Sequence, residues 1–440
     1  MKKKMLFVCT IALAAAFTAC SNDELAGGSR QNASKGAINF SPMLNKSTRS
    51  NVVTTAPKLG SFAVSAFWAE AITTGKDVNG KKVFIAGSAL EETATYTYAV
   101  GDPFSSLAKT KIVYKEGGWD YDDATQMAYW PFREKVADKE YIGDIPLNFV
   151  AVSPAAAADV TGIDLEVAGS IPYTVPAIED QADLCYAVSQ GKVQKDGVVS
   201  LYFKHALSQM IFKAKMGTGM KVTIKSIEIL NMKNSAIYNL PAASVVATAE
   251  GEATQGSWTN IGTTKVNYQG FTTAAGYIAI PDSSAGNEAY STQLTGEGQE
   301  IIFLPQEAKA GELAGNLGTA WSPNDNVAPK NAQNILLKIT CKASRGGTAL
   351  IGSCIEGDAN EYAVRYFPIN TTWLQGKKYI YTLLFGGVSD PENPNPTGDN
   401  PGDDTPGGYD EDGKVTPPTV PISFSAQVED WTPVHSNVSF

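Results

Sequence analysis

The side chains from which this 440-residue chain could assemble chemistry are two histidines, five cysteines and a surplus of carboxylates. A Ser-His-Asp site would have to recruit His205 or His435, since the imidazole is the base that takes the nucleophile's proton. His205 falls at the end of an alternating segment, where a hydrogen-bonded structural histidine is expected. His435 sits in the terminal tail, a poor place to hold a precise geometry. Cys185, Cys341 and Cys354 do not follow a metal-ligand spacing. Cys341 and Cys354 flank Gly346-Gly347, so paired strands would bring them near one another, either as a disulfide or as buried free thiols. The sequence carries no phosphate-cradling glycine loop, dinucleotide fingerprint or zinc-protease helix. Paired carboxylates for glycoside chemistry are set by the fold rather than by spacing along the chain. The expectation is therefore no catalytic residue, no metal site, no cofactor and no enzyme.

The elements that would position any such residue begin with the two ends. Lys2, Lys3 and Lys4 precede an apolar run from Met5 to Phe17, the layout of a cleavable leader. That run is too short to cross a bilayer, which takes roughly 20 helical residues. It closes on Phe17-Thr18-Ala19-Cys20, which resembles the lipobox of bacterial lipoproteins, with Cys20 as the acylated residue and mature N-terminus. The alternative is an ordinary secretory leader with a chance cysteine. Ser21-Asn22-Asp23-Glu24 then forms a polar acidic tether resembling a surface-delivery signal. The formal net charge is -10 and falls further once the leader lysines depart. A field of that sign repels phosphate backbones, which argues against a nucleic-acid partner.

Between the ends, apolar residues recur mostly with period two. Phe62, Val64, Ala66 and Trp68 share one strand face, as do Val199, Leu201 and Phe203, then Met210, Phe212 and Ala214, then Tyr379, Tyr381, Leu383 and Phe385. Gly117-Gly118 and Gly346-Gly347 mark hairpins. In Val222, Ile224, Ile227 and Ile229 the parity flips, which predicts a bulge near Lys225-Ser226. Many short strands with such turns indicate an all-β chain of antiparallel sandwiches, and its length suits two domains of about 150 to 200 residues. The expected organisation is a leader at 1–19, a tether at 20–36, sandwiches at 37–192 and 193–385, an acidic Pro/Gly-rich spacer at 386–421, and a terminal strand and tail at 422–440. Asp410-Glu411-Asp412-Gly413 lacks the full spacing of a calcium loop and reads as solvated spacer. In the last segment Ile422, Phe424, Ala426 and Val428 form one apolar face ahead of Glu429-Asp430-Trp431, so a mobile linker ends in a strand that needs burial. Ile38-Asn39-Phe40-Ser41 has the same apolar spacing as Ile422-Ser423-Phe424-Ser425.

Several phrases together resemble the fimbrillin family, the type V pilins and related surface lipoproteins of anaerobic Gram-negative bacteria. They are Thr48-Arg49, Tyr129-Trp130-Pro131, Leu147 to Pro154 (LNFVAVSP), Gln181 to Ala187 (QADLCYA), Phe203 to Ser208 (FKHALS), Leu304-Pro305-Gln306, Trp373 to Tyr381 (WLQGKKYIY) and Val428-Glu429-Asp430-Trp431. Their order spans nearly the whole exported chain. The resemblance implies two tandem transthyretin-like sandwiches, delivery to the outer membrane through lipid on Cys20, and a structural or adhesive role in fimbriae. The implied partners are other fimbrial subunits, in a homo- or heteropolymer, and a host protein or glycan receptor. In pilins of the family an arginine-specific protease removes the N-terminus with the first strand, and a neighbour's C-terminal strand fills the groove. Arg49 matches the cleavage point, although it also reads as a plain surface arginine. Ile422, Phe424, Ala426, Val428 and Trp431 match the donor strand. The long acidic spacer departs from the compact family pattern and leaves open whether the last strand returns to its own second domain. A rival reading is a non-polymerising surface lipoprotein in which Trp119, Tyr121, Tyr129 and Trp130 stack against sugars.

Overall fold

The computed structural model of the chain describes residues 37–44, 59–78, 81–85, 96–115, 118–135, 140–142, 145–160, 169–242, 255–271, 273, 275–281, 292–296, 299–308, 333–386, 410–411 and 422–430. Strands dominate, joined by single 3-10 turns such as Ala124–Gln126 and Ile178–Asp180. The fold is all-β and sandwich-like. Among the described residues no helix is long and apolar enough to cross a membrane.

The organising element is a seven-stranded sheet. Its order is Phe40–Leu44, Val199–His205, Cys185–Lys192, Leu147–Ser153, Ser61–Trp68, Thr110–Lys115 and Gly118–Tyr121. Phe62, Val64, Ala66 and Trp68 do share a face, packing with Phe149, Ala151, Cys185, Ala187, Val199, Leu201 and Phe203 in one core. Their in-between neighbours are buried too. Ala63, Phe67, Val150, Val152, Tyr186 and Val188 enter a second, larger core on the opposite face. A sheet covered on both sides needs apolar residues at every position of its central strands. That is why Leu147–Ser153 and the first half of Cys185–Lys192 read as nearly unbroken apolar runs rather than as alternation.

The second core continues into the C-terminal half. There Ser208–Met216 runs parallel to Lys377–Phe385, and this layer faces a sheet built on Met220–Lys233 and Leu336–Arg345. Phe212, Tyr381, Leu383 and Phe385 meet Val222, Ile224, Ile227, Ile229 and Ile339 between them. The parity flip in Met220–Lys233 is resolved by a register shift between Ile224 and Ser226, which keeps both halves of the strand facing inward. Leu336–Arg345 turns at Gly346-Gly347, whose φ values of 57° and 83° suit glycine, and returns as Thr348–Ile351 with Arg345 opposite Thr348. Thr110–Lys115 and Gly118–Tyr121 likewise form a hairpin, with Lys115 opposite Gly118.

Three features bear on the readings of the sequence. The division expected at 192/193 falls between Cys185–Lys192 and Val199–His205, and Val199–His205 pairs with both Cys185–Lys192 and Phe40–Leu44. The chain passes to the second layer through Ala206 and Leu207, both fully buried. Cys341 and Cys354 are free thiols: Cys341 is buried opposite Ala363, while the Cys354 thiol donates to the backbone carbonyl of Ala343 at 3.3 Å. The terminal strand Ile422–Asp430, whose return to its own chain the sequence left open, is paired within it.

Candidate functional site

The first strand occupies a groove that closes around it on three sides. On one flank Phe40–Leu44 runs parallel to the sheet, with Phe40 opposite Val199 and Leu44 opposite Phe203. The Val199 amide donates to the Asn39 carbonyl at 2.9 Å. On the other flank the Ile38 amide donates to the Ala128 carbonyl at 2.9 Å, the Tyr121 hydroxyl donates to the Ile38 carbonyl at 2.8 Å, and Ala37 bridges to Tyr129. The floor is aromatic. Phe40 meets Phe149 and Phe62 edge to face, at centroid separations of 6.0 and 6.3 Å, and lies 6.3 Å from Tyr121. Ile38 is fully buried and Phe40 is 2 % exposed. Each such side chain contributes roughly 1.5–3 kcal/mol through burial. Burial pushes the Tyr121 phenol well above its ordinary range, so its hydroxyl remains a donor across the physiological range.

The terminal strand has a different seat. Ile422–Asp430 pairs antiparallel with all nine residues of Lys377–Phe385, at the edge of the layer whose next strand is Ser208–Met216. The register sets Ile422, Phe424, Ala426 and Val428 opposite Phe385, Leu383, Tyr381 and Tyr379. Those four partners are the core-facing row of their strand. Directly opposed residues of an antiparallel pair share a sheet face, so the apolar register of the last strand coincides with that of the core. The two end segments thus belong to different sheets and do not pair with each other. Cys20, Arg49 and Trp431 lie outside the described residues.

His205 is a buried, hydrogen-bonded residue, with Nδ1 2.6 Å from Asp183 Oδ2 and 3.6 Å from Cys185 Sγ. This resembles a Cys-His-Asp constellation in residue type alone. Asp183 and Cys185 are 2 % and 0 % exposed, and burial together with the adjacent Asp183 carboxylate pushes the Cys185 thiol well above its ordinary range. A cysteine nucleophile needs the reverse, a lowered pKa and an open approach. The sequence placed His205 correctly as a structural residue but missed its meeting with Asp183. The signal was present: Gln181–Ala187 and Phe203–Ser208 are two of the phrases quoted above, and Cys185 stands directly opposite His205.

Three of the four aromatics of the sugar-stacking reading are buried, and Tyr129 is half-buried. Trp119, Tyr121 and Trp130 are 2 %, 5 % and 2 % exposed and belong to the first core. Trp119 packs on Phe62 at 5.2 Å and Trp130 on Phe149 at 5.6 Å. Sequence reasoning also missed Ala128 and Tyr121 as the far wall of the groove, because nothing in local spacing links them to a segment some ninety residues earlier.

These observations agree with comparisons to known proteins. A family model described as fimbrillin-like matches residues 69–399. Among curated proteins none matches. A fimbrial protein from Bacteroides vulgatus of known crystal structure is similar at 16% identity and a TM-score of 0.45, over 90% of this chain and 100% of the other. The tip fimbrial protein Mfa3 from Porphyromonas gingivalis, with a C-terminal truncation, is similar at 12% identity and a TM-score of 0.29, over 88% and 99% of the two chains. At such values neither structure informs on assembly, and the assignment rests on the family model. That model covers most of the chain, although not Phe40–Leu44, Ser61–Trp68 or Ile422–Asp430, so the chain belongs to the fimbrillin-like family.

Proposed function

We propose that this protein is a structural or adhesive subunit of cell-surface fimbriae of the type V class, assembled with copies of itself or with other fimbrial subunits by strand exchange. The observation that carries the reading is the seat of residues 37–44, paired with Val199–His205 along Phe40–Leu44, tied to Tyr129 and Ala128 through Ala37 and Ile38, and floored by Phe62, Tyr121 and Phe149. The polar stretch containing Arg49 follows that segment directly. Cleavage after Arg49 removes Cys20, its lipid and the strand together. What remains is a groove with unpaired amides and carbonyls above an apolar floor, both costly in water. An alternating strand from another copy satisfies both at once.

Ile422 to Val428 supplies such a strand, and Trp431 follows it. A flexible chain of the length from Gly386 to Pro421 would have an r.m.s. span of roughly 30–36 Å, about a domain width. Before cleavage the terminal strand rests on Lys377–Phe385 of its own chain, and no empty groove competes for it. In this account the precursor is carried to the outer membrane by the lipid on Cys20 and released from it on processing. A host protein or glycan would then be met by the assembled fimbria, and the non-polymerising alternative loses the exposed aromatic face on which it stood.

Arginine-specific proteolysis of the purified chain tests this. The expected products are a cut after Arg49 and a ladder of oligomers that survives SDS without boiling. If the cut chain stays monomeric, and removal of residues 422–440 changes nothing, the polymerisation reading fails. Separately, Cys20→Ala is expected to abolish lipid labelling and membrane retention.

A further inference from the structure

One buried cluster is not explained by the assembly reading: Asp183, Cys185 and His205 bring three ligand atoms within 4.8 Å of one another inside the molecule. The three groups come from separate elements. Asp183 lies just before Cys185–Lys192, Cys185 opens that strand, and His205 ends the antiparallel neighbour Val199–His205. The Asp183 side chain has no exposed surface and that of His205 is 5% exposed. The carboxylate is incompletely satisfied: Oδ2 faces His205, whereas Oδ1 is buried without a hydrogen-bond partner. A buried carboxylate oxygen with no partner is costly and calls for a bound ligand or a specific reason.

The separations suit a small thiophilic cation. With Zn–S near 2.3 Å and Zn–N or Zn–O near 2.0–2.1 Å, a tetrahedral ion sets sulfur about 3.6 Å from each of its nitrogen and oxygen co-ligands. Here Cys185 Sγ is 3.6 Å from His205 Nδ1 and 3.4 Å from Asp183 Oδ2. The third edge, Nδ1 to Oδ2 at 2.6 Å, is a hydrogen bond and would have to open by about 0.7 Å to admit the metal. Charge also balances. One divalent cation with one thiolate and one carboxylate is neutral, which suits a sealed site.

We propose that Asp183, Cys185 and His205 form a structural binding site for a zinc-class divalent cation that ties Cys185–Lys192 to Val199–His205. Binding forms metal–sulfur, metal–nitrogen and metal–oxygen bonds and breaks the S–H bond, so one proton leaves to solvent. On the neutral imidazole the proton at Nδ1 moves to Nε2, with no oxidation or reduction. A solvent molecule or a backbone carbonyl completes the tetrahedron. The ion would brace the strand against which Phe40–Leu44 is seated.

The site is independent of the strand-exchange account, and its test uses no assembly readout. The probe is Co²⁺, added to chelator-stripped full chain and then displaced with Zn²⁺. The expected result is one Co²⁺ per chain, a thiolate-to-cobalt charge-transfer band, intense tetrahedral visible bands, and loss of colour on adding Zn²⁺. A chain with Cys9, Cys20, Cys341 and Cys354 all replaced by alanine retains Cys185 as its one thiol and is expected to keep the band. Cys185→Ser, with the other cysteines intact, is expected to lose it. Uptake below one ion per ten chains, or a band missing from the single-thiol chain, overturns the proposal whether or not Cys185→Ser folds.

Discussion

The two end strands have similar apolar spacing but are held in different ways. Phe40–Leu44 is a short parallel addition at the edge of a sheet, but the preceding Ala37 and Ile38 are tied to Tyr129, Ala128 and Tyr121 on the other flank, and Ile38 and Phe40 are sealed in the core. Ile422–Asp430 is nearly twice as long but is held by one antiparallel ladder, with no further strand beyond it among the described residues. A segment whose side chains are sealed in a core opens only with much of its surroundings, whereas a strand held by a single ladder opens locally. In the proposed assembly, the first strand would therefore need a cut in the chain before it could leave, and the last would transfer without one.

Breaking either side of this contrast should have graded effects. The largest is expected from removing residues 422–440: the chain cut after Arg49 should then give no SDS-resistant ladder, while the uncut chain still elutes as a folded monomer in gel filtration. Phe424→Asp is expected to lower ladder yield at least tenfold, because a charge then stands in the register row opposite Leu383. On the other side, Phe40→Ala removes the ring that meets Phe62, Tyr121 and Phe149, and should destabilise the uncut chain by about 3–5 kcal/mol in urea unfolding. It should leave the ladder of the cut chain unchanged, since residue 40 is then gone. The smallest effect is expected from Tyr121→Phe, which removes one hydrogen bond to Ile38 at a cost of about 1 kcal/mol. Faster amide exchange at Ile38, with little change at Lys377–Phe385, would show that the two seats are independent.

Much of this arrangement was legible from local pattern. The parity flip at Lys225-Ser226 announced a bulge, Gly346-Gly347 announced a tight hairpin, and Phe62, Val64, Ala66 and Trp68 announced one buried face. Failures came where the determinant was not local. Trp119 and Trp130 look like surface aromatics in polar surroundings until the groove wall folds over them. The division expected at 192/193 was placed by composition, and local pattern gives no sign that the strand after it pairs with Phe40–Leu44 as well as with Cys185–Lys192. A parallel pairing between residues 40–44 and 199–203 leaves no turn signal, because its connection is most of a domain. Similarly, the Asp183, Cys185 and His205 cluster depends on strand register rather than on spacing along the chain.

The central claim is that the last strand leaves its own chain and fills another copy's groove. Carboxyl-to-amine cross-linking of a mixture of heavy- and light-isotope chains tests it most directly. In the uncut chain Glu429 stands opposite Lys378 and Asp430 opposite Lys377, so links from the last strand should join residues of one isotope label. After cleavage at Arg49, the account predicts mixed-label links from Glu429 or Asp430 to Lys204 of the groove-lining strand, with the Lys377 and Lys378 links reduced. Same-label links to Lys377 and Lys378 that persist undiminished, with no mixed-label pair, would contradict it.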